Sequence, residues 1–274
     1  MRFAGNWLGQ AALPPVLFFL VVVALWQAAT VAWDIPVYLV PGPKRVLEAA
    51  REHAVELRQA VPLTGAAALV GFVLSLIVGT AVGLLFSQSP LIRRSIYPYA
   101  IFLQTVPIVA IAPVLIIWFG NGFGGVVSVA FILSLFPIIT NATAGLTMVE
   151  PNLLELFAIH NASRSQTLFK LRLPNAVPHL VTGAKISCGL SVIGAIVGEI
   201  SAGFGTDSYG LGTLITMATG KLDTAYAFAG VIAATLLSIV IFATVSWLGA
   251  TILARWHVAA PRGNTTTTSS KTGF

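Results

Sequence analysis

Six stretches of about twenty residues or more (14–33, 61–86, 96–119, 126–146, 180–200 and 224–254) run through this chain with almost no charge. About 20 apolar residues in a helix span the ~30 Å hydrocarbon core of a bilayer. Inside that core every backbone N–H and C=O must find a partner within the protein, which a helix provides along its own length. Composition agrees. Charged residues make up only 9% of the chain and apolar residues 57%, with a mean hydropathy of +0.90. Soluble domains carry roughly 25% charged residues, so this chain has too little polar surface to cover a soluble core. The reading is an all-α polytopic membrane protein with six transmembrane helices. A cleaved signal peptide is the alternative for residues 14–33. The positive charge ahead of this run is thin and the run itself is long, which favours a retained span.

The 274 residues fit one membrane domain. Residues 1–13 form a short head with one charge, Arg2, and residues 14–254 form the membrane domain. Residues 255–274 form a tail whose Thr/Ser-rich end, 264–274, has the composition of a disordered segment. The net charge of +6 is spread among loops, which argues against nucleic-acid binding and makes the basic residues topology signals. With six spans both termini share a side. Arg2, Arg93, Arg94, Arg164, Lys170, Arg172, Lys185, Arg255, Arg262 and Lys271 fall on or near that side, ten in all. Lys44, Arg45, Arg51, Arg58 and Lys221 fall on the other, five in all. The bias predicts cytoplasmic termini. A single cysteine, Cys188, excludes a disulfide within the chain and a Cys-based metal site. Its apolar surroundings predict a packed thiol.

Between the spans, residues 35–43 hold Pro36, Pro41 and Pro43 and read as extended or turning. Residues 44–59 read as an amphipathic surface helix, with Val46, Leu47, Ala50, His53, Ala54 and Leu57 at three-to-four spacing. Pro62 would open the second span. Residues 87–95 read as a short loop carrying Arg93 and Arg94, and Pro98, Pro107 and Pro113 as breaks in the third span. Gly79-x-x-x-Gly83 and Gly194-x-x-x-Gly198 give the spacing that lets helices approach closely. Residues 201–223 read as a Gly-rich loop.

One long polar island interrupts this pattern, at residues 150–178. Pro151 suits a helix start. Asn161 suits a left-handed residue ending that helix, and Ser163 suits the cap of a second helix. That second helix carries Arg164, Lys170 and Arg172 and would close at Pro174. The result is a short, rigid helical hairpin lying across the membrane face, which is the form of a docking element. The plainer alternative is an interfacial loop linking two spans, although ordinary connections are shorter.

The island resembles the "EAA" loop of permease subunits of bacterial ATP-binding-cassette importers, Glu-Ala-Ala-x3-Gly-x9-Ile-x-Leu-Pro. The matching positions are Glu155, Leu156, Phe157, Asn161, Leu171, Leu173 and Pro174, with the spacing kept throughout. The 39–43 run Leu-Val-Pro-Gly-Pro, the 109–120 run, Phe136-Pro137, Ala162-Ser163-Arg164 and Gly198-Glu199 are similar to the nitrate/sulfonate/taurine branch of these permeases. The resemblance implies a type I importer membrane domain with the MetI-like fold and a cytoplasmic coupling helix. It implies a pair of permeases (a homodimer) in the bacterial inner membrane, two cytoplasmic ATPase subunits and an extracytoplasmic substrate-binding protein. It assigns the ATPase contact to Glu155, Leu156, Phe157, Asn161, Ala162, Ser163, Arg164, Leu171, Leu173 and Pro174. The solute it implies is small: nitrate, a sulfonate, taurine, a heteroaromatic vitamin precursor or similar. ATP and Mg would be bound by the ATPase, with no cofactor in this chain and no enzymatic activity of its own. Gly220-Lys221 lacks the glycine at position 215 that a phosphate-binding loop needs.

Candidates for the pathway are few. Gln104 and Thr105 precede Pro107, where freed carbonyls are tolerated at membrane depth if they face protein or a watery cavity. Asn141 lies within the fourth span near Pro137, and Glu199 is the one acid within a span. For each, a purely structural role stands beside the functional one. His53, His160, His179 and His257 are far apart in sequence, without metal-ligand spacing. An ion-coupled secondary transporter is the alternative function. It would call for inverted repeats and intramembrane charges, whereas no internal repeat is evident and only Lys185 and Glu199 are charged within the spans.

Overall fold

The structure is a computed structural model that describes residues 4–203 and 209–257. The described residues form helices in the order α1 (Ala4–Ala32), α2 (Pro43–Glu52), α3 (Ala54–Gln88), α4 (Pro90–Thr105), α5 (Ile108–Phe119), α6 (Phe123–Thr147), α7 (Pro151–Ile159) and α8 (Arg164–Thr167). A π-helical turn (Leu168–Arg172), α9 (Leu173–Ala202), α10 (Leu211–Gly220) and α11 (Thr224–His257) complete them. The all-α expectation holds. Five helical stretches are long and apolar enough to cross a bilayer: Leu13–Ala32, Ala54–Gln88, Phe123–Thr147, Arg164–Ala202 and Thr224–Ala254. The remaining expected span is divided into α4 and α5, of 16 and 12 residues.

Side chains of almost no size hold the centre together. Along the α3–α6 contact, a Cβ placed on Gly71 would lie 2.7 Å from the Cβ of Ala130, and one on Gly83 would lie 2.6 Å from the Cβ of Ala142. On the other face of α6, a Cβ on Gly145 would lie 2.7 Å from the Cα of Ala176, and one on Gly194 2.7 Å from the Cα of Ala130. α6 is thus clasped by α3 and α9 at backbone distance, the mode of packing open to helices that gain nothing from hiding apolar surface from water. Both glycine pairs singled out in the sequence serve it: Gly79 faces Ile138 and Gly198 faces Val126. Ser187 adds a buried hydrogen bond, its hydroxyl donating to the carbonyl of Ser134 at 2.7 Å. Cys188 is fully buried beside Val126, Ala130 and Val192, as a packed thiol. α1 lies at the periphery, touching α2 and exposing Phe18, Phe19 and Leu25.

Several boundaries differ from the sequence reading. The amphipathic helix ends at Glu52 rather than at residue 59, because His53 leaves the helical region (φ −103°, ψ 28°). Its ring stacks on Tyr226 at 4.0 Å between centroids, which fixes the bend. Residues 54–59 instead begin α3, so Pro62 sits inside that helix and not at its first turn. The loop expected at 87–95 shrinks to Ser89, which caps α4 by accepting from the Ile92 N–H, with Pro90 next to it at the helix start. Arg93 and Arg94 are therefore helical. Of the three prolines in the third span only Pro107 divides it, since Val106 before it is extended. Pro98 and Pro113 are absorbed inside helices. The Gly-rich segment contains α10, capped from elsewhere as described below. Residues 204–208 of that segment, and the tail from 258 onward, lie outside the described residues.

A helical hairpin and its roots

The 150–178 island folds as its local chemistry dictates. Pro151 stands at the start of α7, where its missing N–H has no partner to lose. Asn161 ends the helix in the left-handed region, φ 49°. Around it the Ala162 N–H donates to the Phe157 carbonyl at 2.9 Å and the Asn161 N–H to the Ala158 carbonyl at 3.0 Å. This pair of reversed bonds is the Schellman arrangement, which satisfies two carbonyls a helix end would leave open. The chain then turns directly into a capping box. Ser163 accepts from the Gln166 N–H at 3.2 Å, and the Gln166 side chain accepts from the Ser163 N–H at 2.8 Å. Gln166 was not singled out in the sequence, although the Ser-x-x-Gln spacing that signals it is present.

The second limb corrects an expectation. Pro174 does not close it. The helix passes from α8 through the π-helical turn into α9 without interruption. A proline ring crowds the carbonyl one turn earlier, and the wide turn at Leu168–Arg172 lies where that strain must be absorbed. The hairpin's second limb is therefore the tip of a membrane-crossing helix.

The ten candidate coupling residues divide between tip and root. Glu155, Leu156, Asn161, Ser163 and Arg164 are exposed, and Phe157 and Ala162 half-buried, on the hairpin. Leu156, Phe157, His160, Ala162, Gln166 and Lys170 line a cleft of about 360 Å³ between its limbs. Ile159 and Phe169 stand out at 75% and 67% exposure. Leu171 is buried, and Leu173 and Pro174 are half-buried at the base. Two residues that sequence reasoning did not assign fasten that base. The Arg172 guanidinium donates to the Ser87 carbonyl at 2.7 Å, in the last turn of α3. Asn175 donates to the Gly145 and Met148 carbonyls at 2.8 and 3.2 Å, at the end of α6. Carbonyls in the last turn of a helix lack intrahelical donors, so each side chain completes a helix end that belongs to a different span.

The five pathway candidates do not gather in one place. Gln104, Thr105 and Pro107 lie exposed at the α4–α5 break, where the Thr105 hydroxyl donates to the Phe102 carbonyl at 2.8 Å. Asn141 donates to the Pro137 carbonyl at 2.8 Å and packs against Gly183 of α9. Glu199 is buried at the bundle end opposite the hairpin. It accepts from the Thr64 hydroxyl and from the Gly212 N–H, both at 2.7 Å, and Thr64 accepts in turn from the Leu211 N–H at 2.9 Å. The carboxyl group thereby caps the first turn of α10, taking up an N–H that has no partner within the helix. Gly210 leaves the room, since a Cβ there would strike the carboxylate. Among the described residues no group of three or more His, Cys, Asp or Glu is placed to hold a metal.

Known proteins share this architecture. In solved structures, the inward-facing MetNI methionine ABC transporter contains a chain that superposes with a TM-score of 0.61 at 18% identity, covering 75% of this chain and 98% of that one. Among curated proteins, the formylaminopyrimidine transport permease protein ThiX of Halalkalibacterium halodurans is 32% identical over 90% of this chain and 96% of its own length. The riboflavin transport system permease protein RibX of Chloroflexus aurantiacus is 31% identical over 90% of each chain. The taurine transport system permease protein TauC of Escherichia coli is 27% identical over 75% of this chain and 76% of its own. The family described as binding-protein-dependent transport system inner membrane component matches residues 45–258, and with that match, and a fold in which a capped hairpin crowns a glycine-packed bundle, the chain belongs to this family of importer permeases.

Proposed function

We propose that the hairpin is the point at which a partner ATPase drives this permease. The observation that carries the reading is the construction of the 150–178 island: a tip stiffened by a Schellman end and a capping box, and a base fastened to α3 and α6 through Arg172 and Asn175. A permease driven by a separate ATPase must receive work through a contact. That contact must be stiff and joined to the spans, and the exposed apolar side chains of Leu156, Ile159 and Phe169 offer a surface for it. In this reading Glu155, Leu156, Phe157, Asn161, Ala162, Ser163 and Arg164 form the contact, and Leu171, Leu173 and Pro174 set its base. ATP and Mg are bound by the ATPase.

The assembly is two copies of this permease, two ATPase subunits and an extracytoplasmic binding protein. In this reading both termini, the head at 1–13, the tail at 255–274 and the hairpin are cytoplasmic, an orientation supported by the ten-to-five distribution of basic residues. The permease domain, 14–254, then carries the solute across the inner membrane, with Gln104, Thr105, Pro107, Asn141 and Glu199 as pathway candidates. The solute is a small molecule of the kinds that relatives are named for, among them formylaminopyrimidine, riboflavin, aliphatic sulfonates, taurine and nitrate. No observation favours an ion-coupled mechanism. The test is co-purification from membranes with a candidate partner ATPase expressed together with this chain. The parent should retain it and Leu156→Glu, which puts a charge in the exposed patch, should lose it. Retention by Leu156→Glu together with full transport would refute the hairpin as the contact.

A further inference from the structure

Lys185 is a cation inside a membrane-crossing helix, and intramembrane charges are rare because they are costly. Its level in the bundle is fixed by its neighbours in sequence. Gly183 packs against Pro137 and Asn141, and Ser187 bonds to Ser134. Residues 134–141 are the middle of the 25-residue α6. From the last turn of α6, Lys185 is about six to nine residues deep, or roughly 9–13 Å at 1.5 Å per residue. A lysine stem reaches about 6 Å, so snorkelling alone falls short of the membrane surface.

No ion-pair partner of Lys185 is found among the described residues. The one acid within the six apolar stretches of the sequence, Glu199, is fourteen residues further along the same helix, about 21 Å away, and is already engaged by Thr64 and Gly212. A second copy of this chain brings its acids at the same depths, so it offers no counter-charge at this level either. The side chain nonetheless has space. α9 is packed against α3, α5, α6, α10 and α11, yet one stripe of it stays uncovered. Thr182, Ile186 and Ile193 are exposed on that stripe, Lys185 is half-buried at its edge, and a Cβ on Gly189 would meet nothing within 4 Å. Lys185 and Gly189 are one helical turn apart on the same side. A long helix packed against five others thus presents an unfilled, glycine-floored stripe with a lone ammonium at its edge.

We propose that the Lys185 ammonium is an anion site in the translocation pathway, taking a carboxylate, sulfonate or other oxyanion group of the solute as it passes. The charge is maintained in the membrane because this stripe faces water, and its counter-ion is a mobile anion. A lipid phosphate has the same chemistry, so the test separates the two sources.

The probe is a pair of methanethiosulfonate reagents of similar size, one bearing a sulfonate and one a trimethylammonium group. They are applied to Gly189→Cys in the full transporter in inside-out vesicles. Cys188→Ala removes the native thiol, and the space above Gly189 accommodates the new side chain. An ammonium about 6 Å from the thiol in water changes the local concentration of each reagent about threefold in opposite senses. The sulfonate-to-ammonium ratio of labelling rates should therefore fall about tenfold on adding Lys185→Gln and be kept by Lys185→Arg. An unchanged ratio would overturn the proposal. So would failure of both reagents to react, the result expected if the stripe faces lipid and Lys185 pairs with a headgroup. The proposal rests on the importer reading above, but the two fail separately. Labelling reports the charge at residue 189 whatever drives transport, and loss of ATPase co-purification by the unmutated chain would count against that reading alone.

Discussion

Asn161 gives the sharpest test of the hairpin, because two structures meet at one residue. Its φ of 49° is a conformation that a β-branched side chain adopts only with strain. In Asn161→Val the chain has two ways to respond. If the turn keeps its shape, the left-handed residue costs about 1–2 kcal/mol. If the substituted valine relaxes instead, the Ala162-to-Phe157 and Asn161-to-Ala158 bonds are given up, at a net cost of about 0.5–1.5 kcal/mol each. Both routes converge on about 1–3 kcal/mol, or roughly a 5- to 150-fold loss in the fraction of hairpins holding the docking geometry. The cost falls on the tip alone, since α7 contains no buried residue and the membrane bundle does not depend on it. Titration of the detergent-solubilised permease with its ATPase should show weaker binding by about that factor, while expression and melting temperature of the bundle stay at parental values. Asn161→Gly should bind within about twofold of the parent, since glycine takes this conformation freely. Equal binding by the Val variant and the parent would refute both the turn geometry as the determinant and the hairpin as the contact.

Other expectations concern the roots and the far end of the bundle. Glu199→Ala orphans the Gly212 N–H and the Thr64 hydroxyl and should cost about 2–4 kcal/mol, read as a lower melting temperature and faster hydrogen exchange in α10. A normal melting temperature would show that water replaces the carboxylate at no loss. Arg172→Met keeps the length of the side chain but releases the Ser87 carbonyl. ATPase binding should persist while transport per ATP hydrolysed drops several-fold, and an unchanged ratio would make Arg172 a local brace only. Gln104→Leu should reduce transport with the ATPase still bound, and unaltered transport would place Gln104 in a structural role. A cysteine at Ser89, in the Cys188→Ala background, should resist an impermeant thiol reagent applied from outside, and labelling there would reverse the assigned topology.

Much of this was legible in the sequence, for reasons that can be stated residue by residue. Membrane-crossing helices announce themselves by length and apolarity, and the cap residues Pro151, Asn161 and Ser163 act on neighbours within four positions, so local spacing carried them. The failures have a different scale. Pro174 reads as a helix end because the rule for proline is local, whereas the helix survives through a π-helical turn that no residue type marks. The tie from Arg172 spans 85 positions and that from Thr64 to Glu199 spans 135, and nothing in a window of sequence records either. α10 was hidden for a related reason. Its start is capped by a carboxylate from α9, so the glycines at 210 and 212 read as loop when their role is to admit Glu199.

The clasp of α3, α6 and α9 has a consequence for how many ways the molecule can move. Ala130 is touched by Gly71 on one side and Gly194 on the other. Backbone-to-backbone contact leaves no flexible side chains to re-pack, so sliding or tilting any one of the three helices means separating them. They count as one body with six degrees of freedom rather than three bodies with eighteen. What freedom the chain retains lies where helices stop: at His53, at Val106 and Pro107, at Gly120 to Gly122, and at Gly203, whose φ is 68°. If work is delivered at the hairpin as proposed, it turns the central body as a unit, and changes of shape are left to α4 and α5, which join that body at Ser89 and at Gly120 to Gly122.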